Sequence, residues 1–394
     1  MLQIEGDSLP HSSTVDNALA RIPLEQLSQI FLKLLKLLGK RKFFYNHPEL
    51  FPNNCLQVAC DGFWMHKYAH PHSVNEDGTN ACPYCLPRTH DKGTNKEKTY
   101  WVHVVATFVM VCDGFTLPLF VHPLKKGQVN LQEGCDDKFK EECELKAAHA
   151  ILPMIRANFP KTPILFLGDA LYANKPMIKL CNELKIDYVI VLKEKILKLL
   201  NAHCAQLAQT ELYKRHYTRK VQQPLKHKIL HQQAFWFNHE HVGDNVFTNV
   251  LKYEEFFANE NGTSKAGYKG AWICSKKITT ENCLLKAITG RSRWNHEDLH
   301  NTGKNRGFKM AHDMARANPS LLFCWKLINF IAYFLSELFR CTTIARGARQ
   351  SRSWEKFFRD MLSQLVCIAW EMIVRSPILS KSKVQFRYQF HFRP

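Results

Sequence analysis

Arg293, Glu297, His300 and Lys304 share one face if the stretch that carries them is helical. That stretch, Arg291-Ser292-Arg293-Trp294-Asn295-His296-Glu297-Asp298-Leu299-His300-Asn301-Thr302-Gly303-Lys304, has no proline, and Leu284, Leu285, Ala287 and Ile288 ahead of it suit a helix entry. A helix turns by roughly 100° per residue, which brings the four within about one-sixth of a turn. One acid flanked by bases on a single face can hold a metal ion and clamp phosphates beside it. A solvated face with an Arg–Glu pair at i, i+4 has the same spacing.

Two other stretches end in acids. Leu56-Gln57-Val58-Ala59-Cys60-Asp61-Gly62 and Pro163-Ile164-Leu165-Phe166-Leu167-Gly168-Asp169-Ala170 read as buried apolar strands whose last residue is Asp. A carboxylate at the end of a buried strand is costly unless it is solvated, paired or bound to metal. Asp61, Asp169 and Glu297 are therefore candidate ligands of divalent cations, converging from two strand ends and one helix face.

A second metal chemistry sits between them. Cys82-Pro83-Tyr84-Cys85 has knuckle spacing, and thiolate with imidazole suits zinc. The spacing leaves the set incomplete, with His66, His70, His72, His90 and His103 available to complete it. A reduced pair in a turn is the other reading.

The elements that must position these groups follow from the pattern along the chain. Val15 to Leu38 has apolar residues at helical spacing and a basic end, and it belongs to an N-terminal helical segment over 1–50. Tyr100–Val111 and Phe115–His122 predict a hairpin around Cys112-Asp113-Gly114. Helices are expected over Lys138–Ala157 and Lys175–Leu184, with a strand at Asp187–Leu192. Ala234–Phe237, Asn245–Lys252 and Tyr268–Lys276 read as strands punctuated by Gly262, Gly267 and Gly270. Trp236 and Trp272 lie among them, either as core or as a platform for an unpaired base. Leu321 to Leu338 is apolar, but Lys326, Asn329 and Glu337 make it a buried core helix and not a membrane span. Arg340, Arg346, Arg349, Arg352 and Lys356 follow as a basic C-terminal region over 341–394.

Composition narrows the partners. The 394 residues are 45% apolar, which excludes a disordered tail. Lys plus Arg number 54 against 35 acids, a formal charge of +19 that points to a polyanion such as nucleic acid. The 14 cysteines are scattered and, without a signal peptide, read as reduced cytoplasmic thiols.

On these residues the sequence resembles the DDE transposases of the insertion-sequence-four family. Arg293-x3-Glu297-x6-Lys304 fits that family's Y-x2-R-x3-E-x6-K signature, with Gly290 standing at the tyrosine position. Leu167-Gly168-Asp169-Ala170-Leu171-Tyr172-Ala173-Asn174 looks like its second acidic motif, Asp61-Gly62 like its first, and Lys304-Asn305-Arg306-Gly307-Phe308 like the segment after the Glu. Glu142-Cys143-Glu144 with Ala147 resembles a segment before the second acid, whose acids are expected on a helix surface. The resemblance spans roughly residues 10 to 340 and implies an RNase H-like mixed sheet flanked by helices. The first part of that core would occupy 51–205, a β-rich insertion 206–288, and the Glu helix with a core helix 289–340. It implies two Mg²⁺ or Mn²⁺ ions held by Asp61, Asp169 and Glu297, serving hydrolysis at transposon ends and then strand transfer into target DNA. Arg293, Lys304, Arg306 and Trp272 would contact DNA. Two ends imply a homodimer on DNA, in a bacterial-type, nucleoid-associated cytoplasmic setting with no membrane partner. The alternatives are a decayed or repurposed relative that holds DNA without cutting, and another RNase H-like nuclease.

Overall fold

A run of β-branched and aromatic residues has its lowest free energy where its alternating side chains are covered on both faces. The chain builds one ten-stranded sheet on this rule. The computed structural model describes residues 12–45, 47–126, 143–210, 216–223, 228–259, 264–305, 308, 310, 318–341, 353 and 356. The chain divides into two compact units, Met1–Glu337 and Leu338–Pro394. Little of the second lies among the described residues, and Arg346, Arg349 and Arg352 lie outside them.

The expected N-terminal helix is three helices, α1 (Ser12–Ala20), α2 (Leu24–Ser28) and α3 (Ile30–Lys40). Pro23 stands at the first break, where its ring and missing N–H cannot continue a helix. The strands follow: β1 (Leu56–Tyr68), β2 (Leu86–His90), β3 (Lys98–Val111) and β4 (Thr116–Pro123). One edge of β3 pairs with β1; its other edge pairs first with β2 and then with β4. Helix α4 (Glu144–Asn158) leads to β5 (Ile164–Gly168), and α5 (Lys175–Glu183) crosses to β6 (Asp187–Val191). β1, β5 and β6 run parallel, so their carboxyl ends lie on the same side of the sheet.

After α6 (Lys198–Gln209) come β7 (His216–Gln223), β8 (Lys228–Gly243), β9 (Val246–Asn259) and β10 (Ser264–Cys274). The strand-rich stretch expected as an insertion is continuous with the main sheet, because β10 pairs antiparallel with β6. The architecture is thus a mixed α/β fold, a large mixed sheet flanked by helices.

The chain then enters α7 (Cys283–Ser292), α8 (Asn295–Asn305) and α9 (Pro319–Cys341). The single helix expected through Arg293 is two helices joined at Arg293-Trp294. Across the joint the backbone tightens: Trp294, His296 and Glu297 each donate to the carbonyl three residues back. α9 is long and apolar enough to cross a membrane by composition, yet it packs as core. Its Phe330 meets Phe63 at 6.1 Å, its Phe334 meets Phe31 at 5.9 Å, and its Lys326 and Glu337 are buried.

Trp272 on β10 is 1% exposed. A side chain at Gly290 would begin 2.5 Å from the Trp272 indole nitrogen. The indole thus fills the space that a tyrosine at position 290 would need, which accounts for the glycine there. Trp272 is a core residue and not a stacking platform, contrary to its place among the expected DNA contacts.

Gly290→Ala is expected to cost roughly 1–3 kcal/mol by overpacking against that ring. The check is a lower urea midpoint at unchanged slope; an unshifted midpoint would show that the contact is not tight.

Candidate active site

The last rung between β1 and β5 pairs Ala59 with Leu167. Asp61 and Asp169 each stand two residues beyond it, so both acids leave the parallel pair at the same level. Ligand sites in open α/β sheets form at this end of the strands. Asp169 behaves as expected: it follows the last residue of β5, and its Oδ1 accepts the Leu171 N–H at 2.8 Å to cap a short turn, Ala170–Tyr172. Asp61 does not end its strand. β1 continues to Tyr68 because β3 goes on pairing with it as far as Trp101 after β5 has stopped.

Glu297 enters from α8 by way of Arg293. The guanidinium Nη2 donates to Glu297 Oε1 at 3.3 Å, and Nη1 lies 3.5 Å from Asp61 Oδ2. Arg293 is only 8% exposed. It is a buried counter-charge between two acids, a different placement from the exposed phosphate clamp its spacing suggested. Lys304 is exposed, with its ammonium 4.7 Å over the Phe63 ring. Arg306 lies outside the described residues. The exposed ring at this site is Trp294, 53% exposed, with the Arg293 guanidinium 5.4 Å over it.

A fourth carboxylate joins from the opposite face of β1. Alternation along the strand sends Asp61 and Phe63 toward α8 and Gly62 toward α4. Glu144, the first residue of α4, lies against Gly62 so closely that any side chain there would collide with its carboxylate. Glycine beside Asp61 is thus a matter of space. The expectation that the acids of this segment lie on a helix surface is corrected for Glu144. Burial, then Asp61 and Asp169, push its carboxyl up to about 7. Asp61 is also raised, first by burial; Asp169 and Glu297 add to this, while the Gly62 N–H and Arg293 oppose it. The available sequence signal was the bare Gly62 next to a candidate ligand, read together with Glu144 ahead of the second acid.

Under the acids lies a neutral docking contact. Thr107, directly opposite Asp61 in the β1–β3 register, has its hydroxyl 3.1 Å from the Asp61 carbonyl, 2.8 Å from His296 Nε2 and 3.0 Å from His300 Nε2. A hydroxyl has one proton to donate. Donation to the carbonyl leaves both imidazoles as Nε2–H donors, and burial is what keeps the two rings neutral. Burial holds His300 down to about 3, with Lys304 adding to it, and burial holds His296 well below its ordinary value.

The oxygens of the four acids are hard donors suited to Mg²⁺ or Mn²⁺. Among the described residues, no three of them bring ligand oxygens within 4.8 Å of one another, whereas Cys82, Cys85 and His103 do bring their ligand atoms that close. All three of these are buried, and together they can bind a metal such as zinc. His70 and His90 are exposed, and the side chain of His66 lies outside the described ones.

No protein-family model matches this chain, and comparison with curated proteins gives no match.

Two stability measurements test the site's electrostatics, and their signs oppose. An unfolded histidine titrates near 6.5 and His300 in the fold near 3. The unfolded chain therefore takes the proton first, and stability present above that range falls as pH drops through it, by up to about 1.4 kcal/mol per pH unit per histidine. Urea midpoints of His300→Asn should show a shallower loss than wild type from about pH 7 to about pH 5; parallel slopes would refute the neutral pair. Glu144 has a folded value near 7 against 4.5, so its contribution is present at low pH and lost as pH rises through 7. Glu144→Gln should therefore raise the melting temperature of the metal-free protein at about pH 8. A fall there would mean that the carboxylate is held by attraction.

Proposed function

We propose that this chain is a metal-dependent DNA phosphoryl-transfer enzyme, a transposase of the DDE type. The observation that carries the reading is the level placement of Asp61 and Asp169 beyond the last parallel rung, with Glu297 tied to Asp61 through Arg293. Glu144 adds a fourth oxygen donor that the sequence motif did not contain. Two carboxylates share one buried arginine and two more stand close to Asp61, which leaves a surplus of negative charge in a partly dry site, and divalent cations are the natural complement. The raised carboxyls of Asp61 and Glu144 fit that donor role.

Asp61, Asp169, Glu297 and Glu144 would hold the ions. When bound, two such ions stabilise the attacking and leaving oxygens of an in-line displacement at phosphorus. The protein's own residues do the rest. Arg293 fixes Glu297 relative to Asp61 and offsets their repulsion. Lys304 presents positive charge at the same helix face, and the overall +19 draws the DNA backbone in. Trp294 offers its exposed ring to a base unstacked near the cut. By the resemblance, hydrolysis frees a 3′-OH at the element's end, and that hydroxyl then attacks target DNA. The exchange of one phosphodiester for another needs no nucleotide cofactor. Two ends processed together favour a homodimer on DNA.

The experiment is cleavage of DNA carrying the segments that flank this gene, by the full chain with Mg²⁺ or Mn²⁺. Metal-dependent strand cleavage at a fixed position is expected. Glu297→Gln should abolish it, a loss of at least about a hundredfold, while DNA binding without metal holds or improves because a negative charge is gone. Cleavage by Glu297→Gln at the wild-type rate would remove α8 from the chemistry. Binding without cleavage by the wild type would favour a relative that only holds DNA.

A further inference from the structure

The thiol cluster at the far end of β1 and β3 takes no part in the reaction proposed above, and its geometry has its own logic. His103 on β3 is wholly buried, with Nε2 3.1 Å from Cys85 Sγ and 3.5 Å from Cys82 Sγ. Its Nδ1 finds no hydrogen-bond partner, so the polar contacts of the ring are directed at the two sulfurs. Around a tetrahedral zinc with ordinary bond lengths, sulfur and nitrogen ligands stand about 3.5 Å apart. The three side chains are therefore spaced like three corners of a zinc tetrahedron.

His72 is the histidine placed to supply the fourth corner: its ring nitrogens stand outside the 4.8 Å cluster of the other three ligand atoms, so the ring must swing in to complete the set. Its backbone N–H donates to Cys85 Sγ at 3.2 Å, which fixes this loop residue beside the cluster. Its ring centre lies 5.4 Å from that of His103. Two imidazoles sharing one tetrahedral zinc have ring centres about 5 Å apart. Asn80 orders the turn that carries both cysteines: its side chain accepts the Cys82 N–H at 3.0 Å and donates to the Cys85 carbonyl at 2.9 Å.

We infer that Cys82, Cys85, His103 and His72 form a closed four-ligand zinc site that is structural and independent of the acidic centre. Two thiolates and two neutral imidazoles leave no open position for a reactive water. The site lies where metal would matter for folding. It joins the loop before β2 to the first half of β3, and both Tyr84 and His103 pack against Phe323 of α9, at 4.6 and 5.7 Å. Zinc would thus pin the rim of the sheet to the long core helix.

The test uses the full purified chain. Elemental analysis should find about one zinc per chain, and Co²⁺ put in its place should give the visible bands of a tetrahedral site with thiolate charge transfer. In competition with a chromogenic chelator, His72→Ala should bind Zn²⁺ at least about tenfold more weakly, and His72→Cys, which restores a ligand atom, should recover the affinity. Chelation should lower the melting temperature of the wild type. Glu297→Gln should retain its zinc, which separates this site from the reading of the acidic centre. Three results would overturn the inference: a chain that neither contains nor takes up zinc, a Cys82–Cys85 disulfide in the freshly purified protein, or wild-type zinc affinity in His72→Ala.

Discussion

Like charges gathered at the end of a sheet repel one another, and the fold around them must supply the opposing force. Beyond the effect of burial, Asp169 and Glu297 raise the proton affinity of Asp61, and Asp61 and Asp169 raise that of Glu144. Arg293 is the counter-charge placed among them, nearly buried and in contact with two of the acids. A guanidinium in such a place is more effective than at the surface, because less solvent screens it. Its location at the joint between α7 and α8 lets it follow one helix and still reach the first turn of the next.

The joint alone would not fix α8. The helix is held by uncharged contacts: two neutral histidines on one threonine hydroxyl, with Phe63 packed on His300 at 4.7 Å and on Phe330 of α9. Thr107 bonds in turn to the main chain of Asp61. Backbone and side-chain polar groups buried together in this way are most stable when fully paired. The arrangement gives the charged site a rigid neutral base, so the position of Glu297 depends on a hydroxyl in a strand almost 200 residues earlier in the chain.

The covering of the sheet follows the same division. One face of β1 meets α8 and α9 through Asp61 and Phe63; the other meets α4 through Gly62, and there the Cys60 sulfur receives the hydroxyl of Tyr172, from the turn after β5, at 3.1 Å. The antiparallel strands β7–β10 extend the sheet at β6, and α7 rests on them, with Arg291 over Tyr268 at 4.4 Å and 3.4 Å from Glu255. At the other rim the thiol cluster draws the loop before β2 onto β3.

The sequence by itself determined the main strands and marked three acids as candidates. Apolar runs such as Leu56–Cys60 and Ile164–Leu167 are strands because nothing else covers such side chains so well, and an Asp at their ends is conspicuous. The i, i+4 spacing of Arg293 and Glu297 survived a break between two helices because the joint is itself a tight right-handed turn. Cys82 and Cys85 were legible from their spacing, but the choice of His103 among five histidines was not, since it depends on which strand lies beside the loop. Tertiary structure alone decided the rest. It placed Glu144 among the acids, because only packing of α4 against a bare Gly62 brings it there. It put Trp272 in the core, because Gly290 from another element leaves room for its ring. It made Arg293 an internal counter-charge and Trp294 the exposed ring. Spacing along a chain fixes which residues share a face, but what that face meets is set by elements far away in sequence, whose contacts have no local signature.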